Sequence, residues 1–198
     1  MKYIITITLI LFINILIGQE INVLEKVPKG AKIEQGQTII YGNFIQRLGF
    51  SSGGFPQDII LQNIETKEYF KFRVKPTYKS RKDNSFCFYI KPGTYQIISY
   101  VWTQSKWYGG MMYGEPIFKG IDANEYIEKN VTISPDLYEN ASLRYAFTLG
   151  ENSLCYLGTW NFDSGLVSFT NDISNFNVEM ELVYKRLDFS KSTPEIPE

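Results

Sequence analysis

The chain has 198 residues, with 20 Lys and Arg against 21 Asp and Glu for a net charge of −1, and it has no histidine. The near-neutral balance removes any electrostatic ground for nucleic acid or an anionic membrane surface as a partner. The missing imidazole excludes Ser-His-Asp and Cys-His catalysis and histidine metal ligation, and two cysteines are too few for a zinc site built from four thiolates.

The opening, MKYIITITLILFINILIG, sets Lys2 ahead of an apolar run of 15 residues from Tyr3 to Ile17. A membrane-spanning helix needs about 20. The pattern is that of a secretory signal peptide over residues 1–18, cut after Gly18. Leu16 is bulkier than the small residue usual near a cut, and an uncleaved N-terminal anchor is the rival reading. No cysteine follows the run, so lipid attachment at a lipobox is excluded. Cleavage leaves 180 residues with a net charge of −2. That is one domain, long enough to bury a core without a metal or a dense set of disulfides.

Residues 19–36 read as an extended N-terminal arm with a first short strand. Gln37 to Phe50 is a strand, with Ile40, Gly42, Phe44 and Gln46 on one face and Ile39, Tyr41, Asn43 and Ile45 on the other. The glycines and proline of Ser51 to Gln57 make a loop. Ile59–Ile64 and Tyr69–Val74 form a hairpin around Glu65–Glu68. Phe70, Phe72 and Val74 alternate there with Lys71, Arg73 and Lys75, as in a half-buried strand. Pro76 to Asn84 is a polar loop. Ser85–Ile90 and Tyr95–Trp102 read as a second hairpin through Lys91-Pro92-Gly93-Thr94. Pro92 presets φ at about −65° and Gly93 accepts a positive φ, which is type II turn chemistry.

Tyr95–Trp102 is apolar on both faces, so its second face needs a cover. The next segment, WTQSKWYGGMMYGEP, offers one by folding back over Tyr100 and Trp102, its methionines filling irregular space. The competing reading is an exposed platform of rings, Trp102, Trp107, Tyr108 and Tyr113, on which a sugar or a protein partner stacks. Pro116–Ile121 and Lys129–Ser134 are strand-like, with one helical turn between them capped by Asp122. Ser142–Leu149 and Leu154–Phe162 are strands joined at Gly150-Glu151-Asn152, and Trp160 reads as core. LVSFT follows, and then NFNVEMELVYKRL, where Phe176, Val178, Met180, Leu182 and Tyr184 alternate as in a strand. Residues 188–198 form a polar, proline-broken, mobile tail. The whole is all-β, an antiparallel β-sandwich of about nine to eleven strands over residues 37–187.

Two stretches, FYIKPGTYQIISY and AFTLGENSLCYLGTW, resemble paired motifs of small exported bacterial domains with a prealbumin-like, carboxypeptidase-regulatory-like β-sandwich. The matching residues are Phe88, Pro92, Gly93, Thr94 and Tyr95, then Phe147, Gly150, Glu151, Tyr156, Leu157 and Gly158. The resemblance implies turn formers and core rings at these positions and carries no catalytic residue, cofactor or metal.

Cys87 and Cys155 are a candidate disulfide, since export places them in an oxidising compartment; such a bridge would contribute roughly 3–4 kcal/mol on the chain-entropy model. Two free buried thiols are the alternative. No P-loop, dinucleotide fingerprint or EF-hand loop occurs, so the reading assigns no cofactor and no metal. Asp122, Asn124 and Glu125 offer oxygens to calcium, though a surface turn explains them equally. Asn130 and Asn140 lie in glycosylation acceptor patterns that matter only in a eukaryotic secretory route. The expectation is an exported, non-catalytic protein of the periplasm, the cell surface or the medium, binding a glycan or an envelope protein. The alternative is a His-free glycoside hydrolase drawing two carboxylates from Asp58, Glu115, Asp122, Glu125, Asp136, Glu151 and Asp163.

Overall fold

A computed structural model describes residues 21–47, 57–74, 85–106, 109–116, 145–163 and 166–197; at positions 46–47, 57, 100, 102–106, 109–116, 162–163 and 166–167 it describes the backbone alone. The signal-peptide reading of residues 1–18 therefore lies outside the described residues.

Eleven strands and one α-helix are described. β1 (Ile21–Val23), β3 (Gln57–Asn63), β4 (Tyr69–Val74), β6 (Gly93–Lys106), β7 (Gly109–Pro116) and β8 (Ala146–Leu149) form one sheet. β2 (Thr38–Arg47), β5 (Ser85–Ile90), β9 (Leu154–Asp163), β10 (Leu166–Thr170) and β11 (Thr193–Pro194) form the other. The first sheet runs β1-β4-β3-β6-β7, with β8 beside β7 on the same side of β6; the second runs β10-β9-β2-β5, with β11 beside β10 on the same side of β9. The fold is predominantly β, as expected, but the sheets are mixed. β1 lies parallel to β4, and β9 lies parallel to both β2 and β11. Regular turn spacing does not reveal this, because parallel partners are supplied by chain segments far apart in sequence.

The inner faces of both sheets share one core. Ile40, Phe44, Phe86 and Phe88 from the second sheet meet Ile59, Leu61, Phe72 and Tyr95 from the first. Trp160 is fully buried at its centre, edge-on to Phe72 at 5.9 Å, Phe86 at 5.4 Å and Phe169 at 5.4 Å, and its indole N–H donates to the Leu157 carbonyl at 2.7 Å.

The expected hairpin of Ser85–Ile90 with Tyr95–Trp102 is not one. Both strands form, but β5 pairs with β2 while β6 pairs with β3, so Pro92-Gly93 carries the chain from one sheet to the other. Gly93 sits at φ +142°, where a Cβ would lie 2.8 Å from Asn63 Nδ2, so the position needs glycine. The join at Gly150-Glu151-Asn152 crosses in the same way, from β8 to β9. The N-terminal arm ties it down. Gly36 N–H donates to Asn152 Oδ1 at 2.7 Å, and the Thr38 hydroxyl donates to the Gly150 carbonyl. Gly93 stands opposite Leu149, so both crossings lie at one end of the molecule.

The stretch expected as a last strand is a helix, α1 (Ile173–Val183). Phe176, Met180 and Tyr184, spaced four apart, pack onto Ile39, Tyr41 and Tyr156 on the outer face of the second sheet. Val178 and Leu182, which completed the apparent alternation, are 61% and 65% exposed. The sequence satisfies both periods, and Met, Glu and Leu favour the helix. Nor is 188–197 a loose tail. Phe189 is buried against Tyr41, Ile196 packs over Gly158, and β11 joins β9.

β2 and β9 approach closely at a bulge. Tyr41 stands opposite Tyr156 but Asn43 opposite Thr159, so Leu157 and Gly158 together face Gly42. A Cβ on Gly42 would lie 2.6 Å from the Gly158 carbonyl oxygen and 2.6 Å from the Phe86 ring, whereas one on Gly150 would meet only Ser153 Oγ at 4.0 Å. Gly42→Ala is therefore expected to cost about 1–3 kcal/mol and Gly150→Ala less than about 0.5 kcal/mol, read from urea midpoints. Ending the chain at Leu187 removes Phe189 and β11 and is expected to lower the stability by about 3 kcal/mol or more, the scale of losing one buried ring; an unchanged urea midpoint would restore the mobile-tail reading.

Candidate functional site

Polar side chains concentrate where α1 begins, on the outer face of the second sheet. In a regular strand Tyr156 and Thr159 would point to opposite faces. The Leu157-Gly158 bulge resets the alternation and brings them to one side, both facing Asp172 just before the helix. The Tyr156 phenol and the Thr159 hydroxyl both donate to Asp172 Oδ1, the latter at 2.8 Å, and they lie 3.2 Å from each other. Burial, with the Asp172 carboxylate adding to it, pushes the Tyr156 phenol well above its ordinary value and keeps it a neutral donor. Tyr41 is held likewise by burial, donating to Asn177 Oδ1 at 2.5 Å. Asn177 in turn donates to the Phe189 carbonyl and to Ser192 Oγ, both at 2.9 Å. This network anchors the C-terminal segment to the sheet.

The register lines up a row across four strands. Ser85 on β5 faces Asn43 on β2, Asn43 faces Thr159 on β9, and Thr159 faces Thr170 on β10. Asn43 is fully buried, and neither its Oδ1 nor its Nδ2 has a hydrogen-bond partner among the described residues. Enclosed amides of this kind are ordinarily met by ordered water. Within the row Asn43 and Thr159 are buried, Ser85 is half-buried and Thr170 exposed, and all four side chains are neutral hydrogen-bonding groups. No sequence pattern pointed to it, since only the bulge and the parallel β2–β9 pairing assemble it.

Of the four rings expected at a ligand site, Trp102 on β6 stands directly opposite Tyr113 on β7, while Trp107 and Tyr108 lie outside the described residues. The segment does not return as a loop over β6 but continues it. β6 and β7 pair from Ser99↔Pro116 to Lys106↔Gly109. β6 also bulges at Ile98, which shifts its alternation so that Tyr100 falls opposite Ile59 of the inner core.

The described carboxylates of the set expected for hydrolysis lie on separate elements. Asp58 accepts two hydrogen bonds from Arg73, at 2.8 and 3.0 Å. Glu115 stands opposite Tyr100, Asp163 opposite Arg47, and Glu151 sits in the exposed β8–β9 crossing. Asp122, Asn124, Glu125, Asn130, Asp136 and Asn140 lie outside the described residues. Among the described residues no three metal-ligating side chains cluster.

Cys87 and Cys155 are both free and buried. The bridge does not form because β2 runs between them and they point to opposite faces. Cys87, opposite Tyr41, lies under α1, and Cys155, opposite Ile40, faces the inner core. Burial pushes the Cys87 thiol up to about 12, and it also raises Cys155, which sits 3.2 Å from Ser153 Oγ. Both thiols are expected to resist a disulfide reagent at pH 8 until urea opens the fold. An unfolded thiol ionises near pH 8.5, so the stability Cys87 contributes as a neutral thiol is complete below that pH and lost as pH rises towards about 12. Urea midpoints of wild type and Cys87→Ala, converging across that window, would check the sign.

No family model matches the chain, and no characterised protein matches it. Among solved structures it is similar to a leucine-rich repeat protein from Bacteroides thetaiotaomicron, at 14% identity and a TM-score of 0.33, over 74% of this chain and 16% of that one. The chain thus spans about a sixth of that protein's length, and a likeness at this level carries no argument about fold or function.

Proposed function

We propose that the protein is an exported, non-catalytic β-sandwich that binds a glycan or an envelope protein through the β6–β7 hairpin. The observation that carries this reading is the hairpin's reach. Among the described residues β3 accompanies β6 only as far as Asp58↔Val101, whereas β6 and β7 continue together for five further rungs, from Trp102↔Tyr113 to Lys106↔Gly109. A two-stranded ribbon alone is marginal in water, so one that outruns its sheet gains by being covered. Its composition suits contact, with Trp102, Met111, Met112 and Tyr113 along the extension. Trp, Tyr and Met are enriched at interfaces, and flat aromatic rings stack on sugars.

Export rests on the apolar run from Tyr3 to Ile17 behind Lys2. The finer fold reading, a divergent prealbumin-like sandwich, draws support from the two motif stretches. Each occupies a crossing between the sheets, and the two crossings lie side by side through Gly93 and Leu149.

The test is a glycan array and an envelope-protein pull-down with wild type, Trp102→Ala and Tyr113→Ala. Loss of a central aromatic anchor is expected to weaken binding by about 2 kcal/mol, roughly thirtyfold, with an unchanged circular-dichroism melt. Binding indifferent to both substitutions would remove the hairpin from the reading. Polysaccharide turnover abolished by a single Asp or Glu substitution would replace it with the hydrolase.

A further inference from the structure

Among the described residues the sandwich has an unfinished edge at β8, away from the β6–β7 extension. β8 pairs with β6 along one side, and no strand among the described residues pairs with its other side. Beside β8 lies a cleft of about 430 Å³ between Ala146–Thr148 and the segment Pro194–Ile196, lined also by Asn171. The two walls belong to different sheets, so among the described residues the cleft marks a seam between them.

We propose that this cleft receives an extended peptide, which adds to the free side of β8 as a further strand and sets a lysine or arginine side chain against the Glu195 carboxylate.

Three features support this occupant. A strand edge presents backbone N–H and C=O groups at fixed spacing, and the ligand that matches them is another strand. β8 is four residues long, which fits about four residues of extended chain, some 13 Å. The second feature is charge. Glu195 is held in place by its own N–H, which donates to the Tyr156 carbonyl at 2.9 Å. Among the described residues its carboxylate meets no cation and no hydrogen-bond donor, and burial pushes its carboxyl above the ordinary range. A half-buried anion without a partner favours an arriving cation, because the desolvation cost has already been met within the fold. The third is Asn171 in the cleft lining, whose Oδ1 accepts from Ile173 N–H at 3.2 Å, leaving its Nδ2 hydrogens to donate to a peptide carbonyl.

The wall that carries Glu195 is rigid. Ile196 packs over Gly158, and β11 is paired to β9 immediately before it. The peptide therefore meets a preformed seat, which lowers the ordering cost of binding. The Glu195 side chain takes no part in the Tyr156–Asp172 network, so it can be changed without disturbing the core.

The experiment uses three blocked pentapeptides of alternating valine and threonine, with lysine, norleucine or glutamate at the centre. Binding is read by fluorescence anisotropy and by hydrogen exchange at the amides of residues 146–149. The lysine peptide is expected to bind saturably and protect those amides, the glutamate peptide to bind at least tenfold more weakly, and the norleucine peptide to fall between them. Glu195→Gln is expected to weaken the lysine peptide about tenfold and leave the norleucine peptide unchanged, as for loss of one charge-assisted hydrogen bond. Equal affinities for the lysine and glutamate peptides, or binding without protection of 146–149, overturns the proposal. Protection that rises with protein concentration alone and is the same in Glu195→Gln identifies a second copy of the chain as the occupant and also overturns it. Trp102→Ala leaves these readouts unchanged, so they report on β8 whatever the outcome for the β6–β7 hairpin.

Discussion

The contact between β2 and β9 at Gly42 and Gly158 organises the molecule. With no side chain on Gly42, the Gly158 carbonyl comes within 2.6 Å of where a Cβ would stand, and the bulge this permits sets the facing of every later residue on β9. Leu157 and Trp160 turn inward, and the indole N–H finds its acceptor on the Leu157 carbonyl without leaving the core. Tyr156 and Thr159 turn outward together and hold Asp172, which places the start of α1. Gly158 itself, at φ +91°, leaves room for Ile196, and so for the C-terminal segment. A regular strand here would send Trp160 to the helix side and Thr159 into the core, so the two layers depend on one inserted residue.

Strand positions were legible in the sequence, and strand partners were not. β3, β4, β5, β9 and β10 fall where alternation and turn residues put them, because burying one face of a strand imposes a period of two on the residues themselves. Pro92-Gly93 announces a change of direction but does not say whether the next strand returns beside the last or crosses to the opposite sheet; that depends on which surface the apolar face of Tyr95 and Ile97 must cover. The Phe176–Tyr184 stretch misled because its buried residues satisfy a helical spacing while two exposed ones, Val178 and Leu182, complete a strand-like one. In the sequence Cys87 and Cys155 were a possible pair, with two free buried thiols as the other reading. Their separation by β2 follows from a parallel pairing that no local pattern encodes.

The same limit applies to sites. The aromatic stretch after β6 stood out by composition, and its register places Trp102 opposite Tyr113. The polar row through Asn43 and the cleft beside Glu195 did not stand out, since each is assembled from strands distant in sequence or from two different sheets. Single polar residues in a strand-rich chain look like surface positions. Only the pairing distinguishes an enclosed Asn43 from an exposed Thr148.

The bonds that join the arm to the β8–β9 crossing link residues 112 and 116 positions apart, and β2 needs β9 as its parallel neighbour throughout its length. A ribosome delivers β2 long before β9 exists. Until then β2 can be flanked by β5 alone, with its other side bare and the aromatic residues destined for Trp160 uncovered. Such wide separations make closure slow, because the entropy of gathering a long loop comes before any reward from contact. The chain must therefore pass through a lengthy interval as a half-built sheet, and its vulnerability to self-association is greatest during synthesis rather than after it.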